Sequence, residues 1–190
     1  MKFPFPTRPK GVVFALQLIY NSQMLRIGSL RIENGLVLAP MAGYTNLAFR
    51  LTIKKLGAGL VTTEMVSAMG LALNHGKTLD YLKSHTDEKP LAVQIFGSEP
   101  GVMGKASEIA ANHGADLIDI NMGCPVKKVV KTGAGASLLR DQGRIAEILR
   151  AVRKSCPLPL TVKIRTGWSP SDHVASDVAH VAEDCGVDGI

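Results

Sequence analysis

Short apolar runs that alternate with stretches of helical spacing constrain the fold of this chain more than any other feature. The runs are Leu36-Val-Leu-Ala39, Leu60-Val-Thr-Thr63, Leu91-Ala-Val-Gln-Ile-Phe96, Leu117-Ile-Asp-Ile120 and Leu160-Thr-Val-Lys-Ile164, and Val187-Asp-Gly-Ile190 begins a sixth. After the first run, Thr45 and Asn46 are helix-capping types, and Phe49, Ile53 and Leu56 follow at helical intervals. Gly57 and Gly59 end that segment. The second run leads into a less regular region, helical around residues 69–73. After the third, Ser98 is expected to cap a helix with Pro100 near its start and Val102, Ala106, Ile109 and Ala110 on its apolar face. After the fourth, Asp141 opens a helix whose buried face is Ile145, Ile148, Leu149 and Val152. Val174, Val178, Val181, Ala182 and Cys185 mark a last helix.

Strand then helix, repeated, is the pattern of parallel βα units. Two architectures compete. A doubly wound sheet closes in five or six strands, whereas a (β/α)8 barrel needs about 250 residues. The loop after the first run is Pro40-Met-Ala-Gly43, with no G-x-G-x-x-G, which disfavours a dinucleotide-binding Rossmann unit. The chain stops inside its sixth run, as a truncated barrel would. The expected fold is α/β: the N-terminal part of a TIM (β/α)8 barrel, with about five and a half units present. The expected domain spans residues 24–190, and residues 1–23 form an N-terminal extension, with Met24 as an alternative start.

Charge and cysteine usage narrow the class. A formal net charge of +6 favours polyanionic partners such as nucleic acid. Three cysteines, Cys124, Cys156 and Cys185, form no C-x-x-C pair, which weakens zinc and thioredoxin-like readings, and the sparse, odd count fits a reducing cytoplasm. The five histidines show no metal-ligand spacing. The apolar stretch at residues 11–20 is about half the length of a spanning helix, so no membrane role is expected.

Polar residues gather where the runs end. The first run is followed by Pro40, Met41 and Ala42, the second by Glu64. The third carries Gln94 inside an apolar strand. The fourth ends in Asn121 and a Gly-Cys-Pro turn that carries the thiol of Cys124 into a loop rich in Lys127, Lys128 and Lys131. The fifth carries Lys163, then Arg165. In a βα barrel the strand C-termini share the face that holds the active site. Gln94 and Lys163 inside a barrel need partners, since a buried amide or ammonium costs several kcal/mol without one. A planar polar ligand with a phosphate tail is one source of partners. A strand-bridging amide, and an ion pair of Lys163 with Asp119 or Glu64, are the structural alternatives.

Leu38-Ala-Pro-Met-Ala-Gly43, Ala92-Val-Gln-Ile-Phe-Gly97, Asp119-Ile-Asn-Met-Gly-Cys-Pro125 and Val162-Lys-Ile-Arg-Thr-Gly-Trp168 together resemble the tRNA-dihydrouridine synthases, most of all their bacterial B-type branch. The resemblance runs from about Arg26 to the end of the chain. It implies an FMN-binding barrel followed by a helical tRNA-docking domain, with NADPH as reductant and tRNA as substrate. It also implies that uridine is reduced to 5,6-dihydrouridine, with hydride from reduced FMN to C6 and a proton from Cys124, as general acid, to C5. Thiols as a class hold their proton at neutral pH. By motif match, Pro40, Met41, Ala42, Gln94 and Lys163 contact the flavin, with Asn121 and Arg165 beside them, and the loop lysines suit tRNA phosphates. The resemblance further implies a cytoplasmic protein; a monomer is expected. The family's phosphate-binding motifs would fall beyond Ile190, so an inactive fragment competes with the enzyme reading. So does another FMN barrel oxidoreductase of the dihydroorotate or dihydropyrimidine dehydrogenase kind.

Overall fold

A computed structural model describes residues 24–190, so the expected extension at 1–23 lies outside the described residues. The chain opens with an antiparallel hairpin, β1 (Leu25–Ile27) and β2 (Leu30–Ile32), in register Arg26 opposite Arg31. Its apolar side chains Ile27, Leu30 and Ile32 pack on Leu60, Ala92 and Leu117, residues at the N-terminal ends of the parallel strands. The hairpin thus covers one end of the inner sheet face. Sequence spacing shows the start of a domain here but not the hairpin.

The parallel sheet contains β3 (Val61–Thr62), β4 (Val66–Ser67), β5 (Leu91–Phe96), β6 (Leu117–Asn121) and β7 (Leu160–Lys163). Its order is β3-β5-β6-β7, and β4 also pairs with β5. β3 and β4 lie along the same edge of β5, with Val61 opposite Leu91 and Val66 opposite Ile95. The paired positions are five steps apart along one side and four along the other. The extra residue makes residues 63–65 a bulge-like break, a device that re-aims side chains next to functional sites. The first and last runs are weaker than expected. Val37 makes only a single parallel bridge to Leu60, and Gly189 a single bridge to Thr161.

Seven α-helices lie among the described residues: α1 (Leu47–Lys55), α2 (Ala68–Ala72), α3 (Gly76–Leu79), α4 (Pro100–Asn112), α5 (Lys127–Val130), α6 (Gln142–Ser155) and α7 (Ala175–Asp184). Asn46 caps α1 by accepting from Phe49 N, and Asp141 caps α6 by accepting from Arg144 N at 2.9 Å. The expectation for α4 fails in one detail. Its cap is Glu99, whose carboxylate takes Val102 N at 2.7 Å, while Ser98 Oγ donates to the Thr132 carbonyl. A carboxylate at this helix start also faces the positive end of the dipole, which gives Glu99 an electrostatic advantage over a hydroxyl.

Alternate residues of the strands face opposite ways, as β geometry requires. Val93, Ile95, Ile118, Ile120, Met122, Leu160 and Val162 join the main core with Met103, Ala106 and Ala110 of α4, Ile145, Ile148, Leu149 and Val152 of α6, and Val178 and Ala182 of α7. Each of the larger aliphatic side chains contributes roughly 1.5–3 kcal/mol by leaving water, and the alanines less. Helices α4 and α6 approach closely because Gly104 has no side chain; a Cβ there would meet Ser155 Oγ at 2.7 Å. The curved parallel sheet with helices on its outer face is the architecture of the N-terminal units of a (β/α)8 barrel. No helix among the described residues is long and apolar enough to cross a membrane.

One buried polar device ties the first unit together. Arg50, the only fully buried residue of α1, donates from Nε to Glu88 Oε2 at 2.7 Å and from Nη2 to Oε1 at 3.1 Å. Its remaining donors reach the carbonyls of Thr45 (2.8 Å) and Lys83 (2.9 Å). The pair is fully hydrogen-bonded, the condition under which buried charges are tolerated. Thr45 in turn holds Met41, taking Met41 N and donating to the Met41 carbonyl, both at 3.1 Å. The helix-capping reading of Thr45 is therefore incomplete. Its hydroxyl shapes the loop before the helix.

Candidate functional site

The inner face of the sheet carries the polar residues, one register step after another. Gln94 stands opposite Asp119 on β6, Asp119 opposite Thr161 on β7, and Asn121 opposite Lys163. Below this layer the inner face is apolar, at Ala92 and Leu117. The polar layer therefore sits at the C-terminal half of the strands, where barrel enzymes place their chemistry.

The layer is a connected chain of hydrogen bonds. Thr161 Oγ1 donates to Asp119 Oδ1 at 2.6 Å. Gln94 Nε2 donates to Asp119 Oδ2 at 2.6 Å. Asn121 Nδ2 donates to Gln94 Oε1 at 2.9 Å. Asn121 Oδ1 then accepts the backbone amides of Gly123 (3.2 Å) and Cys124 (3.0 Å). Asn121 is thus the bond between the strand and the thiol turn. Burial pushes the Asp119 carboxyl up from its usual 3.8 to about 6, against hydrogen bonds from Thr161 and Gln94 and the nearby charge of Lys163.

The thiol loop is fixed from the other side by a glycine. Ala136 N donates to the Cys124 carbonyl at 3.0 Å. Gly135 has φ +64°, and a Cβ there would meet Cys124 O at 2.6 Å. Only glycine allows this backbone shape and this approach together. On the opposite wall, Gly43 N donates to Glu64 Oε2, which pins the Pro40–Gly43 loop to the bulge after β3.

Six of the eight residues singled out from the sequence line one cleft of about 240 Å³: Pro40, Ala42, Gln94, Asn121, Cys124 and Lys163. Met65, Gly123 and Val126 complete it. Met41 and Arg165 are not in its lining. Met41 is exposed at the rim, and Arg165 packs beside the thiol turn, where a Cβ on Gly123 would meet Arg165 Cγ at 3.4 Å. Two expectations need correction. Lys163 is neither buried nor in an ion pair among the described residues; it is exposed on the open inner face. Gln94 is buried and already has protein partners on both sides, so the strand-bridging alternative holds for its floor position.

Sequence reasoning offers Asp119 only as an ion-pair partner for Lys163, and misses Thr161 and Met65. The available signal is parity: Asp119 and Asn121 are two apart and so share a strand face. Trp168 is partly exposed and carries the Arg140 guanidinium 5.5 Å from its ring centroid, a cation–π contact that braces the loop after β7. Lys127 and Lys128 fall on the exposed helix α5 and Lys131 directly follows it.

Comparison with known proteins agrees with this geometry. The profile of the family described as Dihydrouridine synthase (Dus) matches residues 37–190. The chain is similar to tRNA-dihydrouridine synthase B of Xanthomonas campestris pv. campestris, at 42% identity over 86% of this chain and 49% of that protein. It is also similar to the protein of the same name from Pseudomonas aeruginosa, at 42% identity over 88% of this chain and 50% of that protein. The Proteus vulgaris protein of that name is 44% identical over 87% of this chain and 51% of its own length. The chain thus spans about half the length of the curated relatives it matches. Among solved structures, histamine dehydrogenase from Rhizobium sp. 4-9 superposes with a TM-score of 0.59 at 11% identity, covering 87% of this chain and 35% of that one; this is a likeness of fold. With its parallel half-barrel, its thiol turn and the profile match, the chain belongs to the dihydrouridine synthase family and is similar to its B-type members.

Proposed function

We propose that this chain provides the flavin-facing and thiol-bearing part of an enzyme that reduces uridines in tRNA to 5,6-dihydrouridine, with Cys124 as the general acid. The observation that carries this reading is the single cleft in which Gln94, Asn121 and Lys163 face the thiol loop of Cys124.

The residues present suit FMN. The polar floor of Gln94 and Asn121 lies between apolar walls at Pro40, Met65 and Val126, and a cation free of ion pairs among the described residues stands at one side. That combination fits a planar ring with polar edges. FMN, reduced by NADPH, would supply hydride to C6 of the uracil. Pro40 and Ala42 would hold the ring by its edge, with Met41 at the rim. Gln94 would offer it the remaining hydrogen-bonding capacity of its amide. Lys163 would place positive charge where the reduced ring carries negative charge. Asn121 would keep the Cys124 turn at its present height above the strand ends, and the Cys124 thiol would release its proton to C5. Arg165 packs beside that turn. Lys127, Lys128 and Lys131, with Arg140 and Arg144 lining a neighbouring groove, would meet tRNA phosphates. The target base has to leave its stack to reach the cleft. We assign the protein to the cytoplasm, where tRNA is modified, and as a monomer.

FMN titration of the purified chain, followed by visible absorbance after removal of excess, tests the cofactor. Uptake near one per chain is expected, weakened by Lys163→Met. No uptake by this chain, nor by the chain extended through the remaining barrel strands, defeats the cofactor reading. The acid role is tested by reduction of tRNA uridine. Cys124→Ala is expected to slow it by about 10²-fold or more, the scale of a general acid. A wild-type rate in that variant removes the role.

A further inference from the structure

The order of donors and acceptors along the polar layer points to a residue that the proposed chemistry does not use. An amide side chain can sit either way round, with its oxygen and nitrogen exchanged, so Gln94 and Asn121 each have two placements. The two ends of the chain of bonds are not free in this way. At one end stands Asp119, whose ionised carboxylate only accepts. At the other stand the backbone N–H groups of Gly123 and Cys124, which only donate. With Asp119 accepting, Gln94 must turn Nε2 toward it and Oε1 toward Asn121. Asn121 must then give Nδ2 to Gln94 and keep Oδ1 for the thiol turn. Reversing Gln94 places like against like at two contacts, and reversing Asn121 at three.

We propose that Asp119 is a positioning residue: its carboxylate sets the direction of the Gln94 and Asn121 amides and so holds an acceptor under the backbone of Cys124. Asp119 acts through two side chains: it bonds Gln94 of the cleft from behind, and is itself outside the cleft lining and makes no hydrogen bond to Cys124. Its importance for catalysis rests on the proposed role of Cys124. The orientation itself does not, and neither does its test. Thr161 completes the arrangement, since its hydroxyl occupies Oδ1 of the carboxylate and leaves Oδ2 for Gln94.

The measurement is backbone amide hydrogen exchange, residue by residue, on the 190-residue chain without flavin. In Asp119→Leu the amides of Gly123 and Cys124 are expected to exchange about five-fold faster, the factor that corresponds to one neutral hydrogen bond. Amides in α4 and α6 should stay within about two-fold, which separates loss of aim from general loosening. Asp119→Asn should also stay within about two-fold of wild type at Gly123 and Cys124. Asparagine keeps an acceptor for Gln94, and the Thr161 hydroxyl can turn to accept from its NH₂. Unchanged exchange at Gly123 and Cys124 in the leucine variant would overturn the proposal. So would an asparagine variant as fast as the leucine one, because charge rather than direction would then be at work. If Asp119→Leu does not fold, Asp119→Ala is read by the same criteria. Failure of the cofactor reading in the FMN titration would leave this result standing, since the exchange is measured without flavin.

Discussion

Strands β5, β6 and β7 show two chemistries on one backbone. Their outward residues, Val93, Ile95, Ile118, Ile120, Leu160 and Val162, are packed dry under helices. Their inward residues Gln94, Asp119, Asn121, Thr161 and Lys163 form a polar layer whose hydrogen bonds end at the backbone amides of Gly123 and Cys124. The outer face is redundant, since many side chains share the burial and none has a unique partner. The inner face is not, since Gln94, Asp119, Asn121 and Thr161 each depend on a particular donor or acceptor opposite. Stability is therefore spread over the outer face and direction is concentrated on the inner one.

Three measurements would break or sharpen that contrast. The largest effect belongs outside. Ile120→Ala should lower the unfolding free energy by about 2–5 kcal/mol, through lost transfer energy and a residual cavity. Urea unfolding with an unchanged m-value is the check, and a loss below about 1 kcal/mol would mean that the outer layer is looser than its full burial implies.

Next comes a pH effect from the inner face. The folded Asp119 carboxyl titrates at about 6, above its usual 3.8, so folding favours its protonated form. Its stabilising contribution is complete below about pH 4 and is lost as pH rises through 6. Relative to Asp119→Asn, the wild type should lose on the order of 2–3 kcal/mol between pH 4 and pH 7 and then stay level. Unfolding free energies of both proteins across that range decide it. A constant difference would mean that Asp119 stays ionised at no cost.

The smallest effect on stability is expected at Gln94. Gln94→Leu leaves Asp119 and Asn121 each short of one partner, at a cost of about 1–3 kcal/mol. Its effect on FMN uptake should be the larger one, whereas Ile120→Ala should leave uptake intact once folded. If both variants lose uptake in proportion to stability, the division between the faces fails.

The sequence was informative about the site to an unusual degree, and the reason is periodic. A polar residue inside an apolar strand, such as Gln94, stands out because period-2 alternation predicts what should occupy its place. Gln94 and Lys163, found in that way, share one cleft with Pro40, Ala42, Asn121 and Cys124, which stand out because they follow directly where the runs end. Arg50 and Glu88 did not stand out. They lie in a helix and a polar loop where charges are ordinary, and their burial depends on two segments meeting. Glu99 in place of Ser98 as the cap of α4 was equally hidden, because both residues can cap and only the loop path selects one.

The sequence by itself determined the alternation of strands and helices, the largely apolar β-runs with their few polar interruptions, and the thiol turn. These depend on local geometry, which residue type and spacing control directly. Tertiary structure alone decided that the β1–β2 hairpin covers one end of the inner face, that Lys163 stands exposed while Gln94 is buried, and that Asp119 lies two hydrogen bonds from Asn121. Those facts depend on register between strands far apart in the chain. Register is a property of pairs, fixed by packing across the sheet, and no single strand contains it.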